Sequence, residues 1–572
     1  MKRRIIYILT ALIGFTLFYG TFIKTPITVA NNSSPSAEIQ HTAPLLKNLG
    51  AYHHPISTKS ELAQRYFDQG LILTYGFNHD EAARSFREAA KLDNTCAMCY
   101  WGVAIVKGPN INAVMEADAV PEAWLALQKA IELSKNATES EKGYIQALAK
   151  RYPSPQVTAD RKLYDIAYAN AMRDLHKRYP DDLDAATLFA EAVMDTSPWN
   201  YWAADGKPRR ETVEVLTALE SVLKRNPDHP GANHLYIHAV EASPNPERGV
   251  KSADRLRDFV TGAGHLVHMP SHIYIRVGRY QDAVIANKKA ITVDKEYMNQ
   301  HKASGLYPMA YMPHNHHFLL AGAAMSGQSK LAIEAAGQSK LAIEAARNTA
   351  AMADEKQMRA SGYETLQHYY VMPLYTLTKF GKWDEILKQP TPAADLKYPQ
   401  GVWHYARGMA FTALGQFQEA TQELEELRKI AADLSLEKVT IWNINSAANL
   451  MQIASQVLAG EIAAKQGDYT KAIDYLKQGV ALEDQLNYDE PATWYSPVRH
   501  LLGAVLLTAN RPADAEKVYR EDLKHYPENG WSLFGLAQSL NMQGKTKEAE
   551  EIQQQFETTW KHADVKLIAS QI

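Results

Sequence analysis

The sequence predicts an all-α chain, a solenoid of stacked antiparallel helix pairs. Three observations carry that expectation. From about residue 60 onward the apolar residues recur at helical spacing, and no segment alternates like a half-buried strand. A degenerate repeat of about 34 residues runs through the same region. Within each repeat small residues stand where two helices must approach closely, and large ones stand where neighbouring hairpins meet.

The repeat can be followed by its residues. Gly70, Ala82, Phe86 and Ala89 hold its places in the first copy, and Gly503, Ala515, Tyr519 and Pro527 hold them near the end. Gly408, Ala420 and Leu424 fit between them, as do Gly460, Ala472 and Leu476. A lone hairpin cannot bury its apolar face, so such units must stack. The pattern resembles the tetratricopeptide repeat (TPR) family over most of residues 63–560. That resemblance implies a right-handed TPR-type superhelix (α-solenoid) whose first helices line the concave side. Asn78-His79-Asp80-Glu81-Ala82, Cys96-Ala97-Met98-Cys99-Tyr100-Trp101-Gly102, Gly108-Pro109-Asn110 and His268-Met269-Pro270-Ser271-His272-Ile273-Tyr274 are similar to motifs of a group of exported bacterial TPR proteins. The group implies a fold and no settled activity.

Length and composition bound the rest. The 572 residues are 46% hydrophobic and 22% charged, so the chain is not disordered on composition, and the formal net charge of -3 gives no basic surplus for nucleic acid. Lys2, Arg3 and Arg4 precede an apolar run from Ile5 to Ile23, with Thr28-Val29-Ala30 at a possible cleavage site. A basic start before such a run predicts export, by a cleaved signal or a retained anchor. The protein is then periplasmic or anchored facing outside the cytoplasm, with inner-membrane association through residues 5–23 in the second case. The expected organisation is a signal or anchor over 1–30, a linker over 31–60, an N-terminal solenoid over 61–400 and C-terminal repeats over 401–563. Gly327–Ala336 is repeated without change over Gly337–Ala346, which reads as a recent duplication.

Histidine is the most informative residue type. Ten of the chain's 20 histidines fall between His229 and His317. His234, His238 and Glu241 stand at i, i+4, i+7, and His265, His268 and His272 at i, i+3, i+7, so each set shares a helix face. First helices are expected at about 230–242, at about 266–277 with Pro270 in its opening turn, and after Pro313 with His314, His316 and His317. Equivalent helices of a solenoid lie roughly 8–10 Å apart, so these faces can meet. His238, Glu241, His268 and His272 form the expected ligand set, with His234, His265, His314 and His317 beside it. Imidazole and carboxylate suit a divalent transition metal, Zn, Cu or Fe. No His-Glu-x-x-His signature is present, because Leu235 follows His234 and Met269 follows His268.

Other residues are weaker candidates. Glu191 and Asp195, at i, i+4 one repeat earlier, are candidate proton acceptors. Asn110, Asn112, Tyr274 and Arg276 are candidate ligand-binding residues, and Arg276, Arg279 and Asn287 faintly resemble a carboxylate clamp. The two cysteines, Cys96 and Cys99, can close a small disulfide in an oxidising compartment; Tyr100 in place of His removes the haem-attachment pattern. These residues fit two functional classes. One is an exported scaffold that holds a protein or peptide in its groove and a metal or polar ligand on its histidines. The other is a metal-dependent hydrolase or oxidoreductase built on the same solenoid.

Overall fold

The structure, a computed structural model, describes residues 43–572 apart from 159, 204, 301–306, 338–356 and 360–362. The apolar run at 5–23, the candidate cleavage site and all but the first residue of the second copy of the duplicated decapeptide lie outside the described residues. Thr42–Ile572 forms one compact unit.

It is an all-α stack of antiparallel helix pairs of tetratricopeptide type. Glu61–Tyr75 pairs with His79–Leu92, Leu183–Met194 with Arg210–Arg225, Pro230–Glu241 with Val250–Phe259, and so on to Gly530–Met542 with Thr546–Thr559. The strands among the described residues are a two-residue antiparallel pair, Thr440–Ile441 with Asn445–Ser446.

The small-and-large signature has a direct steric basis. A Cβ on Gly70 would lie 2.7 Å from the Phe86 ring, and one on Gly102 only 2.3 Å from it. Phe86, fully buried, is thus seated between two glycines of successive first helices. Tyr519 is held the same way by Gly503 and Gly535, whose added Cβ atoms would stand 2.3 and 2.2 Å from its ring. Each such ring contributes about 1.5–3 kcal/mol of burial.

Two departures from the expected layout position the site. Residues 43–60, expected as part of a free linker, are packed onto the stack. Leu49 is buried with Ile72, Val260 and Leu266, and the Leu46 N–H donates to Gln69. The Asn, Ser and Pro of 31–45 read as a tether, but Leu45, Leu46 and Leu49 carry enough apolar surface to dock the segment that contains them. The histidines also do not face an open groove. The chain coils back so that Glu61–Tyr75 packs on Pro230–Glu241, and every residue of the latter helix is buried.

The expected helix at 266–277 is split into Gly264–His268 and Pro270–Arg276, broken at Met269. Proline at 270 has no N–H to continue the first segment, so it opens a new first turn. The third expected helix is Met312–Met325. After Ala97–Ile105 a loop through Gly108-Pro109-Asn110 delays the partner helix to Ala119–Leu133.

Candidate metal centre

Six imidazoles converge inside the stack. His234 and His238 come from Pro230–Glu241, His265 and His268 from Gly264–His268, His272 from Pro270–Arg276 and His314 from Met312–Met325. One ring nitrogen each of His234, His238 and His265 lie within 4.8 Å of one another, and so do those of His268, His272 and His314. The two triads abut, with ring centroids 5.2 Å apart for His238 and His272 and 5.6 Å for His265 and His268.

What surrounds the rings decides where their protons sit. His234 Nδ1 is 2.5 Å from the Tyr75 carbonyl, one of the C-terminal carbonyls that Glu61–Tyr75 leaves without a helical partner. His238 Nδ1 is 2.7 Å from Glu241 Oε1, and His272 Nδ1 is 2.5 Å from Glu241 Oε2. His268 Nδ1 is 2.7 Å from Asn287 Oδ1, whose own amide donates to Ala283 O. All four partners are acceptors, so each Nδ1 must carry its hydrogen and donate it. The tautomer that results leaves a lone pair on each Nε2.

Those lone pairs point inward and lack donors. His234 Nε2, His238 Nε2 and both nitrogens of His265 are buried without a hydrogen-bond partner, as is His314 Nδ1. His268 Nε2 and His272 Nε2 face each other at 2.9 Å. With both Nδ1 hydrogens committed outward, that contact repels unless a proton or a cation lies between the two atoms. Buried polar atoms are almost always satisfied, so a run of such orphans calls for an occupant. Metal-bound histidines characteristically donate their far N–H to a carbonyl or a carboxylate, which is the pattern here.

The electrostatics agree with a neutral donor set. Burial, reinforced by the neighbouring imidazoles, pushes His234, His265, His268 and His314 well below the ordinary histidine value, and burial lowers His238 too. Burial opposes charge on Glu241, but His272 and His238 outweigh it and hold the carboxylate below its usual range. His272 is the exception among the rings. Burial lowers it, yet Glu241 and Glu490 together raise it to about 9. His272 is therefore the ring placed to carry the proton that separates the two facing nitrogens.

The wall is aromatic and partly strained. Phe77, Trp199 and Trp442 have positive φ of 55°, 63° and 51°, a region that bulky side chains rarely enter. Each aims its ring at the histidines: Phe77 onto His234 at 4.5 Å, Trp199 onto His238 at 5.2 Å and Trp442 onto His314 at 6.1 Å between centroids. Strain of this kind gathers at functional sites. Phe318 packs on His268, His272 and His314, and Tyr311 on His265.

The expected ligand set is thus brought together, but Glu241 spends both oxygens on histidine Nδ1 atoms. It thereby orients both rings, and His238, Glu241 and His272 offer a third set of ligand atoms within 4.8 Å of one another. His317 turns away, toward His368 and Tyr369. Arg276 donates to the Glu241 and Ser243 carbonyls and so caps the end of Pro230–Glu241. Tyr274 donates to Asp254, outside the cluster. Asn110 and Asn112 approach the Tyr311 hydroxyl from their loop. Glu191 and Asp195 line a separate small pocket with Arg151, His79 and Tyr168. There Arg151 pairs with Asp195 and Asp165, while burial and mutual repulsion push Glu191 up to about 8. Cys96 and Cys99 are joined by a disulfide with S–S 2.05 Å.

Sequence reasoning did not reach Tyr75, Phe77, Phe318, Trp442 or Glu490. Glu490 Oε2 stands 3.3 Å from His272 Nδ1, contributed by a loop of the C-terminal repeats. A lone aromatic after Gly76, beside the Asn-His-Asp-Glu motif, was the available signal for Phe77; Glu490 carried none.

Fold and site define a tetratricopeptide-type helical-repeat protein with a buried polyhistidine centre. Residues 453–485, spanning the second part of Ala447–Lys465 and the whole of Tyr469–Glu483, match the tetratricopeptide repeat family. Among solved structures the chain is similar to a human IFIT1 dimer with m7Gppp-AAAA, at 13% identity over 88% of this chain and 91% of that one, with a TM-score of 0.33. It is also similar to the APC/C hetero-tetramer Cut9–Hcn1, at 14% identity over 87% and 76% with a TM-score of 0.31. The P58(IPK) TPR domain matches at 12% identity over 85% and 99%, with a TM-score of 0.23. No curated protein matches by sequence.

Proposed function

We propose that the protein is an exported helical-repeat scaffold that binds a transition-metal ion in its polyhistidine centre. One observation carries the reading. Four histidines have their Nδ1 hydrogens committed to outward acceptors; the inward Nε2 atoms of His234 and His238 are buried without partners, and those of His268 and His272 face each other at 2.9 Å. The donors facing inward are imidazoles, which suits zinc, copper or iron and disfavours the hard, oxygen-seeking magnesium and calcium. Export is supported by the basic start and apolar run of residues 2–23. The repeat fold supplies a surface for a protein partner, and the centre stiffens the junction where the first helix, the middle hairpins and the Glu490 loop meet. The reading is one of binding: Glu191 and Asp195 share their pocket with Arg151 and supply no base to the histidines.

Elemental analysis of the purified full chain tests it. The expected result is at least one tightly held zinc, copper or iron per chain, lost in His265→Ala/His314→Ala. Trace metal in both proteins, after loading with each ion in turn, sinks the reading.

A further inference from the structure

We propose that the centre holds a pair of ions, one on His234, His238 and His265 and the other on His268, His272 and His314. The proposal rests on the metal reading above and specifies its stoichiometry and layout.

A single ion cannot gather the six rings. Two nitrogens bound to one ion by bonds of about 2.1 Å cannot stand more than about 4.2 Å apart. Among the described residues, these six rings bring three nitrogens within 4.8 Å of one another in two sets, the two triads; a third set, His238 and His272 with Glu241, crosses between them and adds no further ring. An ion in one triad does not serve the other. Filling the first leaves His268 Nε2 and His272 Nε2 facing at 2.9 Å with no more than a proton between them, and filling the second leaves the His234, His238 and His265 nitrogens without partners. Each triad therefore makes its own demand for a cation.

The connections between the triads are those of a paired site. Glu241 straddles them, with Oε1 on His238 of the first and Oε2 on His272 of the second. One carboxylate charge thus serves both halves and fixes one ring in each. His265 and His268 stand at i, i+3 on one short helix yet serve different triads, so that helix is the partition between the ions. The 2.9 Å between His268 Nε2 and His272 Nε2 is already close to the spacing of about 3.3 Å that two nitrogens adopt on one tetrahedral ion. The inward donors of both triads are imidazole nitrogens, which fits two ions of the zinc or copper class. Phe77, Trp199, Phe318 and Trp442 pack the rings from outside, so each triad is held from behind by aromatic contact as well as by a hydrogen bond.

Stoichiometry decides the matter. Metal-free full chain is loaded with Zn(II) in one arm and Cu(II) in another, passed through a desalting column, and assayed for metal and protein. In at least one arm, two ions per chain are expected for the unaltered protein, one for His265→Ala, one for His314→Ala and none for the double variant. One ion in the unaltered protein overturns the pair and leaves the single-ion reading standing; none overturns both. Should a variant fail to fold, paramagnetic resonance of the copper-loaded unaltered chain replaces it. Adjacent Cu(II) ions couple, so the expected signal is broadened or falls below the copper content. Two coppers with the full signal of isolated ions place the second one elsewhere and overturn the proposal.

Discussion

Two buried carboxylates, Glu241 and Asp184, each collect histidines, and only one of the two clusters leaves room for a cation. Asp184 Oδ1 accepts from Tyr52 and Tyr75 hydroxyls, both at 2.5 Å, and Oδ2 from His54 Nδ1 at 2.7 Å. His229 spends Nδ1 as the acceptor that caps Pro230–Glu241, and Nε2 lies 3.0 Å from the Tyr52 hydroxyl. Neighbouring Asp182 takes Tyr144 and the Ala185 N–H on one oxygen. His54, Asp182 and Asp184 lie as close together as the histidine triads do, yet their lone pairs there face donors. Around Glu241 the carboxylate is equally satisfied, but the far side of each ring is not. Proximity of histidines and acids is therefore a poor guide to a metal site; the direction of the protons separates a structural knot from a ligand set.

The comparison predicts opposite responses to neutralising each carboxylate. Asp184→Asn has the largest expected effect on stability. It leaves three donors facing an amide in a buried site, and breaking such a network costs about 3–5 kcal/mol. Thermal melts of metal-free and metal-loaded protein both fall, with metal content per folded chain unchanged. Glu241→Gln acts the other way round. An amide can still take one ring hydrogen, so stability changes less, while metal affinity drops about 10–100-fold, the usual cost of losing a carboxylate that orients ligating histidines. Competition with a chelator measures it. If Glu241→Gln keeps its metal while Asp184→Asn loses it, the assignments of the two clusters are reversed.

A smaller, pH-dependent effect sharpens the Asp184 side. Burial lowers His54, but Asp184, with Asp182 and Asp68 behind it, raises it to about 9. The folded value lies above the unfolded one of about 6.5, so the protonated form stabilises the fold. That contribution is complete below about pH 6.5 and fades as the pH rises through about 9. Denaturant titrations at pH 6 and pH 10 should show a smaller loss across that range for His54→Gln than for the unaltered chain. An equal loss would remove His54 as the source.

Much of the architecture was legible because it is local. Gly70 with Phe86, and Gly503 with Tyr519, sit in one repeat and obey spacing rules that a sequence displays. The helix faces of His234, His238 and Glu241, and of His265, His268 and His272, were legible for the same reason. What spacing could not show is what each ring's second nitrogen meets. Tyr75 lies 159 positions before His234 and was visible only as a packing residue. Asn287 sits on a second helix, Tyr280–Gln300, and Glu490 on a loop of another repeat. Glu241 read as a ligand because its helical phase is right; what spacing did not show is that its two oxygens take the Nδ1 atoms of His238 and His272. His317 shares the spacing of His265 and His268, and spacing could not show that its ring meets His368 and Tyr369. His54 sits in the stretch expected as a linker, 31–60, so the Asp184 knot had no signal as a unit.

The central claim is that cations belong on the inward nitrogens around Glu241 and not on the acids around Asp184. Anomalous diffraction from crystals of the zinc-loaded chain measures it directly. The account predicts peaks about 2.0–2.1 Å from His234 and His238 Nε2, and from His268 and His272 Nε2. Peaks confined to His54, Asp182 and Asp184, or to exposed side chains with the histidine cluster empty, would contradict it.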